Sequence, residues 1–282
     1  MRATEAMKRD FSRDGAIAVR GLFKSEQLKR ARDSFGYGVA HPSPVAGRTF
    51  KGTDDEHFND QTNPKNAHQY IAMIKELGLH DFIASLWDSQ NVWFLGEELF
   101  VKSGGKCGRS PWHQDTSYMA ANGDHLANIW ISFESLPRGN SLEIVRGSHR
   151  GIQYDGAAYT DPSDPTRPLW GNGHFPRLPD IEADRKKNPA SWDVISWALE
   201  PGDALVLHSG ALHGGAPVTP VCPTRHTLVL RFFGDKLFYR PLPTTKRTTQ
   251  STSASTSGIL IRRARRSGPA TARSSADEGE GT

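Results

Sequence analysis

From Val92 onward the chain returns repeatedly to short segments of β-branched and aromatic residues, with no regularly spaced amphipathic helices between them. VWFLGEELFVK, ANIWISFES, SLEIVRG, DALVLHS and RHTLVLRFFG each read as a strand bounded by turn-forming residues. Parallel strands need long crossovers, usually helical, so this succession predicts antiparallel strands in a sandwich or barrel. Residues 150–200, between SLEIVRG and DALVLHS, are rich in Gly, Pro and Asp and read as an insertion.

Helices are expected only near the N-terminus. TEAMKRDFSRDG reads as a helix stopped by Gly15, and AIAVRGLF follows as a short strand. A second helix is predicted from Ser25, its expected N-cap, to Phe35, with Leu28 and Ala31 on the same side. Residues 40–70 read as loop. A further helix carries Phe82, Leu86 and Trp87 on one face.

The last 39 residues differ in kind. TTKRTTQSTSASTSG and RRARRSGPATARSSADEGEGT hold too little apolar surface to fold, so residues 1–243 are expected to form one domain and 244–282 a disordered tail. The tail also explains the net charge of +4, because its seven basic and three acidic residues leave 28 of each sign in the body. A neutral body removes the argument for a specific nucleic-acid partner. The tail reads as a solvated extension, a basic contact segment, or an out-of-frame reading of a GC-rich gene. Two cysteines, Cys107 and Cys222, form no CxxC, and no apolar run suits a signal peptide or a membrane span. A soluble, reducing, cytoplasmic setting is the default expectation. The sequence sets no oligomeric state.

PWHQDTSY, residues 111–118, carries the first chemistry. In an extended chain residues i and i+2 share a face, so His113 and Asp115 can converge on one point while Gln114 faces away. The plain alternative is a His–Asp hydrogen bond at a turn. A third ligand is available in GDALVLHSGALHGGAPV, where either His208 or His213 can close a metal site. Two histidines and a carboxylate with open positions suit a non-haem Fe(II) oxygenase, and a zinc hydrolase can use the same set. A 2-oxo acid on iron needs a cation for its far carboxylate, a role that suits the arginine fork. Arg225 opens the otherwise apolar strand RHTLVLRFFG, and a structural salt bridge is its alternative reading.

PWHQD, NIWISFESLPRGNSLEIVRGSH, LHGGAPV and RHTLVLRFFGD, after an opening FSRDGAIAVRGLFKSEQL, resemble in order the phytanoyl-CoA dioxygenase (PhyH) family of Fe(II)/2-oxoglutarate-dependent oxygenases. The resemblance spans roughly residues 8–242. It implies a mainly β, double-stranded β-helix (jelly-roll) core. It also implies His113, Asp115 and His213 as iron ligands, Arg225 on the distal carboxylate of 2-oxoglutarate, and Trp130 and Ser132 beside that cosubstrate. His208 takes the family's preceding, non-ligand position. One departure stands out: His213 is followed by Gly-Gly, where several members have a serine that contacts the cosubstrate.

The implied reaction uses Fe(II), 2-oxoglutarate and O2 to hydroxylate an unactivated C–H of a small molecule, releasing succinate and CO2. Halogenating relatives replace the carboxylate ligand, and Asp115 retains it. Lys102, Tyr118, Trp170, His174 and Arg231 are the candidates to line a substrate pocket. Lys102 and Arg231 would suit an anionic substrate, and a solvated or structural role is the alternative reading of each. HPSP and the spacing around PWHQD are similar to bacterial members acting on 2-aminoethylphosphonate, an organophosphonate. A zinc-dependent hydrolase and a non-catalytic jelly-roll binding protein are the rival readings. The hydrolase has no use for Arg225, and a non-catalytic member would be expected to have lost a ligand.

Overall fold

Gly15 ends the first helix as its sequence predicts. Helix α1 (Glu5–Asp14) is capped by Thr4, whose hydroxyl accepts from the Met7 N–H, and Gly15 closes it at φ +77° with its N–H on the Phe11 carbonyl. The structure is a computed structural model that describes residues 1–49, 55–105, 107–161, 163–243 and 262–263.

Strand β1 (Ala16–Val19) is followed by α2 (Ser25–Ala40), β2 (Gly47–Thr49), β3 (Glu56–Gln61), α3 (Ala67–Glu76), α4 (Leu79–Trp87) and β4 (Val92–Ser103). Three sequence expectations change here. Lys24, not Ser25, is the N-cap of α2, and Gln27 Oε1 accepts the Lys24 N–H at 3.0 Å. The 40–70 stretch holds two strands and the start of α3. Strand β3, EHFNDQ, buries Phe58 and Asp60 in alternation, but its composition is polar enough to read as loop. β1 is shorter than AIAVRGLF suggested.

The second half contains β5 (Ser110–His113), β6 (Ala121–Gly123), β7 (Leu126–Ser132), β8 (Leu142–Val145), α5 (Ile181–Lys187), β9 (Val194–Ile195), β10 (Ala204–Leu207), β11 (His213–Gly215), β12 (Thr224–Gly234) and β13 (Leu237–Tyr239). The 150–200 region thus carries a short helix and a strand. The expected disordered tail lies outside the described residues, apart from β14 (Arg262–Arg263), which pairs with β4.

The strands form a larger sheet in the order β1-β10-β7-β12-β4-β3-β2, with β14 also on β4. A four-stranded sheet runs β5-β11-β8-β9, and β13 pairs with β6. All the paired strands are antiparallel. Period-2 alternation divides the larger sheet into two faces. Ile129, Ile131, Leu228 and Leu230 pack with Phe11, Phe35, Phe82 and Ile83 of the helices. Trp130, Leu205, Leu207 and Val229 face the other way and pack with Leu142 and Ile144 of the smaller sheet. Each such buried aliphatic side chain stabilises by about 1.5–3 kcal/mol. The result is the jelly roll expected, and its inner face carries Asn128, Trp130 and Ser132 from β7 and Arg225, Thr227 and Arg231 from β12.

Candidate active site

His113 is the last residue of β5 and His213 the first of β11, and the two are direct partners in the antiparallel ladder. Their ring centroids lie 4.2 Å apart. The Gly-Gly after His213 serves this contact. A Cβ on Gly214 would stand 2.9 Å from the Ser110 carbonyl oxygen, and Gly215 takes φ +85°. A side chain at either position would strain or push apart the two strands that present the histidines. Across the ladder from Gly215 stands Ser110, so a hydroxyl is present on the opposite strand.

Gln114 is extended (φ −119°, ψ 126°), so Asp115 falls on the same side as His113, as the spacing predicted. Gln114 turns away and holds the neighbouring backbone, donating to the Gly210 and Ile152 carbonyls and accepting from the Tyr154 N–H. Asp115 Oδ1 lies 3.4 Å from His113 Nε2 and 3.8 Å from His213 Nε2. One ligand atom from each residue falls within a 4.8 Å cluster, a spacing that can hold one metal ion.

Both imidazoles are held in the tautomer that metal binding needs. His113 Nδ1–H donates to the Pro111 carbonyl and His213 Nδ1–H to the Ala211 carbonyl, each at 2.9 Å, which turns both Nε2 atoms toward Asp115. Asp115 Oδ2 accepts from Asn128 Nδ2 at 2.6 Å and lies 3.7 Å from Arg231 Nε. Asn128 is oriented in turn by Ser209, whose hydroxyl donates to its Oδ1. Burial pushes the Asp115 carboxyl up, but the His113 hydrogen bond and the positive charge of Arg231 outweigh it and hold the group well below the usual range. Burial, with His113 beside it, pulls His213 down to about 4. A carboxylate and a neutral imidazole, as at Asp115 and His213, are the donor states a divalent cation requires. At His113 burial is outweighed by the hydrogen bond and charge of Asp115, which push the pKa up, so a cation would displace the His113 proton.

His208 is excluded by its own hydrogen bonds. Its Nε2–H donates to the Gly123 carbonyl at 3.0 Å, and its Nδ1 accepts the Gly210 N–H at 2.9 Å. Both ring nitrogens are engaged by backbone, and burial lowers the pKa to about 4, so the ring stays neutral.

Arg225 is 3% exposed, and its Nε donates to Thr227 Oγ1 and its Nη1 to the Ala216 carbonyl. The guanidinium carbon sits 5.8 Å from the Trp130 ring centroid. Its ladder partner on β4 is Lys102, 5% exposed, which donates to Ser110 Oγ at 3.0 Å. Neither cation forms an ion pair among the described residues. The salt-bridge reading of Arg225 therefore lacks its partner. Burial first, then the Arg225 charge, pulls Lys102 down to about 8, and burial lowers Arg225 to about 10. Two adjacent buried cations without a carboxylate are costly unless an anion joins them.

A family profile described as phytanoyl-CoA dioxygenase (PhyH) matches residues 11–226. The chain belongs to the PhyH family. Among solved structures it is similar in fold to the epimerase SnoN in complex with Fe3+, alpha ketoglutarate and nogalamycin RO, at 15% identity, TM-score 0.62, and coverage of 94% of this chain and 96% of that one. It is likewise similar to EvdO2 from Micromonospora carbonacea var. aurantiaca complexed with 2-oxoglutarate, at 15% identity and TM-score 0.59, covering 86% of this chain and 96% of the other. EctD from S. alaskensis in its apoform matches at 14% identity and TM-score 0.60, over 93% and 88% of the two chains. No curated protein matches the sequence.

The remaining expected positions of this PhyH chain divide. Tyr118 stands edge-on to His113 at 6.3 Å, and its hydroxyl, bonded to the backbone of Ala157 and to Tyr159, is pushed up to about 12, chiefly by burial. Trp170 Nε1 donates to the Ser117 carbonyl, fixing the 150–200 region over the turn that carries Asp115. Arg231 pairs with Glu98 and leans on Asp115, so it supports the cluster and does not stand free for a substrate. The Ser132 hydroxyl bonds the backbone of Glu134. His174 is exposed against Phe175, and no contact among the described residues joins it to the cluster.

Sequence reading missed Asn128 and Tyr159. Asn128 had a signal, because it lies two residues before Trp130 and so shares the inward face of the strand. Tyr159, edge-on to His113 at 6.2 Å, sits in irregular chain and had none. Among the described residues no helix is long and apolar enough to cross a membrane.

Proposed function

We propose that this chain is an Fe(II)- and 2-oxoglutarate-dependent dioxygenase that hydroxylates a C–H of a small molecule. The observation that carries this reading is the pairing of two sites: a preorganised His113–Asp115–His213 donor set and, on the same inner face, Arg225 and Lys102, which have no ion-pair partner among the described residues. His113, Asp115 and His213 would hold the iron, and their Nδ1 and Oδ2 contacts keep the donors aimed. Arg225 and Lys102 would bind the distal carboxylate of 2-oxoglutarate, with Trp130 beneath the guanidinium and Ser110 beside the ammonium. This moves Lys102 from the substrate to the cosubstrate. Bound there, iron supplies the oxidising chemistry, with 2-oxoglutarate and O2 consumed and succinate and CO2 released.

The protein's own part is to orient and to exclude water. Tyr118 and Tyr159, both edge-on to His113, are the aromatic walls nearest the first ligand for a substrate to meet, and Trp170 pins the segment that carries Tyr159 over the site. Nothing among the described residues favours an organophosphonate. Arg231 is tied to Glu98, and Lys102 stands in the row with Arg225.

The zinc hydrolase reading explains the three donors and leaves Arg225 and Lys102 without an occupant. Incubation with Fe(II), 2-oxoglutarate and air, followed by succinate assay, tests the proposal. Succinate should form with the wild type and not with Asp115→Ala. An equal yield from both, or none from either, would refute it.

A further inference from the structure

The inner-face row that holds Arg225 and Lys102 has a third member. Arg225 pairs with Lys102 across β12 and β4, and Lys102 pairs with His57 across β4 and β3. Directly opposed residues of antiparallel strands project to one face, so the three side chains form a line across adjacent strands. Strand spacing is about 4.8 Å, so a carboxylate over the middle residue lies within reach of both flanking side chains.

The His57 Nε2 atom is buried and has no hydrogen-bond partner among the described residues. A buried polar atom left unpaired costs stability, and native proteins leave few of them. Burial lowers the His57 pKa first, and Lys102 and Arg225 are the two charges that lower it further. The surroundings of the ring are therefore cationic, which suits a neutral donor facing an anion.

We infer that His57 is a further cosubstrate-binding residue, donating from Nε2 to the distal carboxylate of 2-oxoglutarate beside Lys102 and Arg225. This rests on the dioxygenase reading above. It makes the carboxylate site a three-strand device, in which β3 completes what β4 and β12 begin.

Calorimetric binding of 2-oxoglutarate and of 2-oxovalerate, which lacks the distal carboxylate, to the Mn(II)-loaded full chain tests the assignment. His57→Phe should weaken 2-oxoglutarate roughly tenfold or more, the loss of one hydrogen bond to a charged group, and leave 2-oxovalerate unchanged. His57→Gln, whose amide nitrogen can replace Nε2, should bind 2-oxoglutarate within about threefold of wild type. Wild-type affinity for 2-oxoglutarate in His57→Phe, with Arg225→Met still weakened, overturns the inference alone. Equal losses for both ligands in His57→Phe also overturn it, since the effect would then be general to the site. If wild type binds no 2-oxoglutarate, or Arg225→Met binds it unchanged, the dioxygenase reading fails with it.

Discussion

His113 and His213 stand directly opposite each other on β5 and β11, each with its Nδ1–H on the carbonyl two residues before it. The symmetry means that neither ring needs to reorganise before a cation arrives, and it separates His213 from its neighbour His208. His213→Ala should lower affinity for Mn(II) at least a hundredfold. His208→Ala should leave that affinity within about threefold, because both of its ring nitrogens serve backbone. It should nevertheless destabilise the fold by about 2–4 kcal/mol, through a cavity and an unsatisfied buried Gly210 N–H. Metal titration and denaturant unfolding of the two variants distinguish the roles.

Asn128 holds the non-facing oxygen of Asp115, and partners of this kind usually matter 10–100-fold to metal affinity or activity. Asn128→Ala is expected to fall in that range, and Asn128→Asp to fall further by placing a second carboxylate against the first. Competition with a coloured chelator measures both.

Much of this site was legible because its chemistry is local. His113 and Asp115 share a strand face two residues apart, and Arg225 is conspicuous at the start of an apolar strand. The cosubstrate role proposed for Lys102 was not legible, because it depends on the β4–β12 register, which pairs Lys102 with Arg225 over a separation in sequence of more than a hundred residues. His57 was obscured for the same reason and by its polar strand. Arg231 read in sequence as either a substrate cation or a structural residue, and the pairing of β12 with β4 and β7 decides for the structural role by placing Glu98 beside it. The Ser25 cap failed because Lys24 N–H finds Gln27, a local contact that the N-cap preference of serine does not capture.

Lys102 gives the site a pH dependence. In the unliganded protein its pKa is lowered to about 8, so the ammonium form predominates below that pH and is lost above it. A carboxylate binds the ammonium form better. Affinity for 2-oxoglutarate should therefore be full below about pH 8 and decline above it by up to about tenfold per unit. Lys102→Met should bind more weakly and lose this decline. Calorimetry between pH 7 and 9 checks the slope in each.

Arg231 pairs with Glu98 in a largely buried setting, their side chains 14% and 15% exposed, and lies close to Asp115. Removing one partner of a buried ion pair costs about 3–5 kcal/mol. Arg231→Met should lose about that much stability, whereas the double variant Arg231→Met/Glu98→Leu should recover part of it. Urea unfolding of the pair supplies the test.

The most direct measurement is an anaerobic titration of Fe(II) and 2-oxoglutarate into the metal-free protein, watching for the weak visible charge-transfer band of a 2-oxo acid chelated to Fe(II). The band should appear in the wild type, vanish in His213→Ala, and need far more 2-oxoglutarate in Arg225→Ala. Confirmed iron binding without the band would contradict the central claim that this site joins a metal to a 2-oxo acid.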